Sequence, residues 1–278
     1  MSSADNGAES IARALLPDPR ALGSRLAGTP LLVLLDVDGT LAPIAPRPED
    51  ALVPEATRHA VGALVRARGV HVALVSGRAA HDARRMVGVD GVWAIGNHGF
   101  DTIAPDRTSM VDARVAVWED ALRGARESAA VITTTVPGAH VEDKGATLSV
   151  HYRAVAPGDV ARLEAEILSV AANAGLRLTR GRKVIELRPP IDVDKGTASL
   201  ALAQQLGAMA ASASVLFAGD DTTDEDAMTA LRDSHPGAVT IHVEGEEPRA
   251  TRAEFKVASP GELGRWLAAL AAMRGGGE

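Results

Sequence analysis

The chain has 278 residues, of which 46% are hydrophobic, 23% charged and only 3% aromatic, and its formal net charge is −7; this is a globular composition with room for one large domain or two of ordinary size. With no cysteine it can form no disulfide, thiol nucleophile or thiolate zinc site, and no apolar run approaches the roughly 20 residues of a membrane helix. The negative charge disfavours nucleic acid as a partner, and the start lacks a basic end followed by an apolar block, so a cytoplasmic protein is expected.

Residues 1–9 read as a frayed end, and residues 10–26 as short helical pieces broken by Pro17 and Pro19. Leu31–Leu35 is an unbroken aliphatic run, the pattern of a strand buried on both faces of a parallel sheet. It stops at Asp36, with Asp38 two positions on and Gly39 permitting a tight turn. Such a string is either a polar turn after a core strand or a ligand site at the strand's carboxyl end. Two carboxylates this close repel each other unless a cation shares them, and an all-oxygen set suits a hard ion such as Mg²⁺. Residues 42–50 are too rich in proline for regular structure, and 54–68 reads as an amphipathic helix with Ala56, Ala60, Leu64 and Val65 on one side.

A second buried strand, Val70–Val75, ends in Ser76-Gly77-Arg78. Ser76 reads as a strand-end hydroxyl and equally as the N-cap of a helix starting near Ala79, while the Arg78 fork can pair with phosphate or carboxylate. A short strand at 92–95 leads into Asn97 and His98 between glycines, a placement suited to substrate contact.

From about residue 110 to 182 the texture changes. A helix is expected over 115–130, a β-branched stretch over 131–137, a half-exposed strand over 146–152, a helix over 157–174, then strands at 176–179 and 183–187. This describes an α+β insert. Its polar residues Glu142, Lys144, His151, Arg153 and Glu186 are ordinary surface ion pairs or groups that bracket sugar hydroxyls. Lys195 then precedes a helix expected over 197–206, and a strand at 214–218 ends in Asp220 and Asp221, with Asp224, Glu225 and Asp226 following. A capped acidic helix start explains the last three but not the first two. A helix near 227–232, a strand over Val239–Val243 and a helix over 262–273 complete the chain, with a tail from Gly275.

The string Asp-Val-Asp-Gly-Thr-Leu at 36–41 and Gly-Asp-Asp-Thr-Thr-Asp at 219–224 resemble the first and fourth motifs of the haloacid dehalogenase superfamily, with Ser76 and Lys195 matching the second and third. The resemblance implies that Asp36 attacks phosphorus, that Asp38 acts as acid and then base, that Ser76 bonds phosphoryl oxygens, and that Lys195 neutralises the nucleophile. It further implies a Mg²⁺ site of Asp36, the Asp38 carbonyl and Asp220, with Asp221 and Asp224 orienting ligands or bound water. Sugar-phosphate members carry a similar His-Gly at His98, usually after Glu rather than Asn97. The spacing of Glu142, Lys144, His151, Arg153 and Glu186 resembles that of trehalose-6-phosphate phosphatases, which implies that Glu142, Lys144 and Glu186 hold the glucose distal to the phosphate.

The expected fold is therefore α/β, a doubly wound Rossmann-like parallel-sheet core over 29–108 and 188–278, with an inserted α+β cap domain over 109–187 and an N-terminal extension over 1–28. The expected function is Mg²⁺-dependent hydrolysis of trehalose 6-phosphate by a cytoplasmic monomer with no nucleic-acid or membrane partner. The rivals are a phosphatase of sucrose 6-phosphate, a glycosyl-glycerate phosphate or a pseudo-disaccharide phosphate, a signalling receiver domain, which has no reason to keep Asp38 or a cap, and a silent regulator.

Overall fold

The computed structural model of the chain describes residues 14–45, 47, 50–181, 183–245 and 249–276. In chain order its strands are β1 (Ala14–Leu15), β2 (Leu31–Leu35), β3 (Val70–Val75), β4 (Trp93–Gly96), β5 (Asp101–Ile103), β6 (Ser109–Val111), β7 (His140–Asp143), β8 (Leu148–His151), β9 (Arg177–Gly181), β10 (Val184–Arg188), β11 (Ser214–Gly219), β12 (Val239–Val243) and β13 (Phe255–Val257). The helices are α1 (Ser24–Ala27), α2 (Glu55–Arg66), α3 (Ala80–Val87), α4 (Glu119–Thr134), α5 (Pro157–Ala174), α6 (Lys195–Gln205), α7 (Thr222–Ser234) and α8 (Pro260–Gly275).

The first sheet has the order β1-β13-β12-β11-β2-β3-β4-β5-β6, parallel except at the β4–β5 and β5–β6 pairs. β2 lies in the middle, and all five of its side chains are fully buried, each worth roughly 2 kcal/mol relative to exposure. Strand alternation divides them between two apolar layers. Leu31, Val33 and Leu35 pack with α2, α3 and α8 residues, whereas Leu32 and Leu34 pack with α6 and α7 residues. Helices on both faces of a parallel sheet give the doubly wound architecture, and the sheet's carboxyl edge is left to the loops after β2, β3, β4 and β11, which are adjacent strands.

The second sheet, β7-β8-β10-β9, is antiparallel throughout. Leu148 and Val150 of β8 and Ile185 and Leu187 of β10 bury against Leu122, Ala129, Leu163 and Ile167 of α4 and α5. Its opposite face is polar and meets the carboxyl edge of the first sheet.

Several expectations are corrected. A two-residue strand, β1, stands within the segment expected to be helical, and residues 1–9 lie outside the described residues. In α2 the buried stripe runs through Thr57, Ala60, Val61 and Leu64, while Ala56 is exposed and Val65 only half-buried. The β-branched residues from Val131 to Thr134 continue α4, because Ala125 and Ala129 already anchor that helix in the core. The boundary expected at residue 109 falls at the start of β6, which pairs with β5 in the first sheet, so the switch of sheets follows β6. Lys195 opens α6 rather than preceding it, and α7 starts at Thr222. Among the described residues no helix is long and apolar enough to cross a membrane.

Candidate active site

Three stretches far apart in sequence meet at the carboxyl edge. The Lys195 ammonium donates to Asp36 Oδ1 at 2.7 Å and to Asp224 Oδ1 at 2.7 Å, and all three residues are buried. Lys195 is held there by helix α6, whose N-terminus is fixed by a reciprocal capping box between Asp194 and Thr197. Asp224 is held the same way: Oδ2 accepts the backbone N–H groups of Asp220 and Asp221, leaving Oδ1 for the lysine. Asp220 Oδ1 accepts the Thr40 hydroxyl at 3.1 Å. Gly39, at φ 83°, lets the turn come so close that a Cβ there would lie 2.1 Å from Asp220 Oδ2. Gly219 has the same necessity toward Asp224, at 2.3 Å.

One ammonium faces three carboxylates. Burial pushes Asp36 well above the usual carboxyl range; Lys195 opposes this, while Asp224 and Asp220 add to it. Asp220 is pushed up to about 7 by burial and by Asp224. Burial works against the Lys195 charge, yet the Asp224 and Asp36 carboxylates outweigh it and hold Lys195 above its ordinary value. The cluster therefore has an excess of negative charge that a divalent cation would relieve. Asp36, Asp220 and Asp224 offer carboxylate oxygens all within 4.8 Å of one another, a donor set suited to a hard cation. Because both Asp224 oxygens are already engaged, Asp36 and Asp220 are the better-placed ligands.

Two expected metal residues lie outside that trio. Asp38 makes a bidentate pair with Arg78, at 2.6 and 2.7 Å, and Arg78 therefore faces a carboxylate here. Asp221 caps α7 through the Thr222 N–H and pairs with Arg249 at 2.6 Å; burial raises it, but the bonds from Arg249 and Thr222 outweigh that and hold it low. Ser76 is buried, and its Oγ accepts the Arg78 N–H at 3.1 Å; the cap of α3 falls instead on Ala79, with no side-chain bond.

Above this cluster the polar face of the second sheet brings Glu142, Lys144, His151 and Glu186 together. Lys144 Nζ donates to the Gly77 carbonyl at 3.0 Å and stands 3.6 Å from Glu186. Glu142 Oε2 lies 2.8 Å from His151 Nε2, and that bond lowers the Glu142 pKa. His98 Nε2 is 3.6 Å from Glu186 Oε2, yet burial, with Lys195, Lys144 and Arg188 nearby, lowers His98 to about 4, so near neutral pH this contact is not an ion pair.

Asn97 departs from its expected role. It is fully buried at φ 49°, its Nδ2 donates to the Lys144 carbonyl at 3.1 Å, and its Oδ1 accepts from Thr147 at 3.2 Å. It joins the two sheets rather than facing open space. Arg153 is exposed beyond β8 and takes no part in the described bonds of the cluster. Four residues given no role by sequence reasoning belong here: Thr40 on Asp220, Arg249 on Asp221, Arg188 beside His98, and Thr147 on Glu186 at 3.3 Å. Thr147 was within reach of the sequence, since it lies an even number of residues from His151 in the stretch 146–152 expected to be a strand.

A family model described as Trehalose-phosphatase matches residues 34–260. A Mycobacterium marinum protein named trehalose-phosphate phosphatase is 38% identical over 243 residues, 86% of this chain and 61% of the relative. A Mycobacterium tuberculosis protein named as an uncharacterized glycosyl hydrolase is 38% identical over 272 residues, 95% of this chain. The chain spans only 20% of that relative and about three-fifths of the former. Among solved structures, one titled trehalose-6-phosphate phosphatase related protein shares 26% identity at a TM-score of 0.75, covering 87% of this chain and 97% of its own. The C-terminal domain of the C. albicans trehalose-6-phosphate phosphatase shares the fold, with 21% identity, the same TM-score, and coverage of 94% and 99%.

Proposed function

The chain belongs to the trehalose-phosphatase family, and from that premise we propose that it hydrolyses trehalose 6-phosphate to trehalose and phosphate, with Mg²⁺ and through a phosphorylated Asp36. The reading is carried by one observation, Lys195 Nζ at 2.7 Å from both Asp36 and Asp224 with Asp220 in the same acidic cluster, beneath a polar face bearing Glu142, Lys144 and Glu186.

In the proposed first step an Asp36 oxygen attacks phosphorus as the bond to the sugar oxygen breaks, and the Asp38 carboxyl gives that oxygen its proton. In the second, the Asp38 carboxylate takes a proton from water, the water oxygen attacks phosphorus, and Asp36 leaves as carboxylate. Lys195 stays cationic throughout and offsets charge on Asp36 and the phosphoryl group. Ser76 donates to a phosphoryl oxygen. The Arg78 fork, paired with Asp38, matches phosphate geometry equally well; on turning to the phosphoryl oxygens it would free Asp38 for proton transfer. Asp36, Asp220 and the Asp38 carbonyl would hold Mg²⁺, with Asp224 orienting the set. The metal, when bound, supplies charge neutralisation around the phosphoryl oxygens. Glu142, Lys144 and Glu186 hold the distal glucose, with His98 packed against Glu186. A doubly charged sugar phosphate does not cross lipid unaided, which fits a cytoplasmic enzyme, and we take it to act as a monomer.

The test is Mg²⁺-dependent phosphate release across trehalose 6-phosphate, sucrose 6-phosphate and a glycosyl-glycerate phosphate, run beside Asp36→Asn. Trehalose 6-phosphate is the expected preferred substrate, and the variant should lose about a thousandfold or more in turnover. Equal turnover by the variant removes the nucleophile, and equal use of all three sugars removes the substrate.

A further inference from the structure

Successive residues of β8 alternate between the faces of its sheet. Leu148 and Val150 enter the apolar core against α4 and α5, so Ser149 and His151, with Thr147 just before the strand, lie on the polar face. Ser149 is the central one. Its register partners are Glu142 on β7 and Glu186 on β10, and directly opposed residues bring their Cβ atoms to about 5 Å. Ser149 thus stands between the two glutamates that the proposed function gives to the distal sugar.

Its neighbours in that row are engaged, Thr147 with Glu186 and His151 with Glu142. Ser149 is not: it is 1% exposed and its Oγ has no hydrogen-bond partner. A buried hydroxyl left this way is rare in a folded protein and destabilises it. The chemistry of the row says what is missing. An ionised carboxylate only accepts, so Glu142 and Glu186 can take a sugar O–H but offer nothing to the lone pairs of the sugar oxygens, whereas a serine hydroxyl can both donate and accept.

We propose that Ser149 is a substrate-binding residue, hydrogen-bonding a ring hydroxyl of the sugar unit remote from the phosphate, between Glu142 and Glu186. This rests on the reading of the substrate as a sugar phosphate. It also separates two quantities that usually move together, because removing the hydroxyl weakens sugar binding while relieving an unpartnered polar group in the free protein.

Ser149→Ala is compared with wild type on trehalose 6-phosphate and on p-nitrophenyl phosphate, which has no sugar, together with thermal melting. The expected result is a KM for trehalose 6-phosphate raised about three- to tenfold, with kcat changed by less than about twofold, p-nitrophenyl phosphate kinetics unchanged and Tm unchanged or higher. An unaltered KM for the sugar overturns the proposal. So does a fall in Tm with equal losses on both substrates, which assigns Ser149 to the structure alone. If wild type turns over a different sugar phosphate in place of trehalose 6-phosphate, the substrate named above fails, and the same comparison on that sugar decides Ser149. If it acts on p-nitrophenyl phosphate and on no sugar phosphate, both readings fall.

Discussion

At Asp224 every lone-pair direction that matters is engaged, with two backbone N–H groups on one oxygen and the Lys195 ammonium on the other. That residue sets the geometry of the cluster without needing to touch a ligand. His98 is a second case in which surroundings outweigh residue type. Burial holds its folded pKa at about 4, below the ordinary 6.5, so between these values the unfolded chain takes up a proton that the folded chain refuses. Its contribution to stability is complete above pH 6.5 and is lost as the pH falls through 4, amounting to about 3 kcal/mol. Melting curves between pH 7 and pH 4 check this. His98→Gln should lose less stability than wild type over that window, and parallel curves would refute the assignment.

At the scale of elements, two helix N-termini deliver the chemistry. α6 places Lys195 in its first turn and α7 places Asp224 in its own, each behind an aspartate cap. The cap at Asp221 and the bridge at Asp224 respond differently to the same change. Asn serves as well as Asp at an N-cap, so Asp221→Asn should keep turnover within about tenfold, losing mainly a half-exposed pair with Arg249 that is worth at most about 1 kcal/mol. In Asp224→Asn the amide nitrogen meets a donor whichever way it turns, either Lys195 or two backbone N–H groups. Loss of a buried charge partner costs about 3 kcal/mol, and turnover should fall a hundredfold or more. Steady-state kinetics with melting on both variants separates a cap from a member of the site. These helix starts were partly legible in the sequence, since Asp before Thr or Asp three residues on is a capping pattern. The end of α4 was not, because β-branched residues favour strands locally, while the helix continues from Ala125 and Ala129 in the core with Ile132 packed against it.

In the whole molecule, the two sheets are joined across the site by a small set of bonds. Asn97 after β4 holds the Lys144 carbonyl and the Thr147 hydroxyl, and Lys144 reaches back to the Gly77 carbonyl. Asn97→Ala removes both bonds, leaving the Lys144 carbonyl with the Ala146 N–H alone and the Thr147 hydroxyl with Glu186 alone, at a cost of about 1 kcal/mol for each bond lost. The expected outcome is a KM for the sugar phosphate raised several-fold with a smaller effect on kcat, and faster amide hydrogen exchange over residues 144–148. Unchanged exchange there would show that the sheets are held by other contacts.

The sequence by itself determined the central strand, the acidic strand ends and the existence of an inserted α+β segment, because these depend on local patterns: an unbroken aliphatic run, a turn glycine and a period of two or 3.6 residues. The family resemblance singled out Lys195 and Asp220, and the structure places both in one acidic cluster with Asp36 and Asp224. Only the tertiary structure decided that Asn97 is a joint, that Asp221 is a cap, that Arg78 lies on Asp38 and that Ser149 stands without a hydrogen-bond partner between two glutamates. Each of those depends on what approaches from a distant stretch of chain, and burial and register across strands leave no mark on the sequence around any one residue.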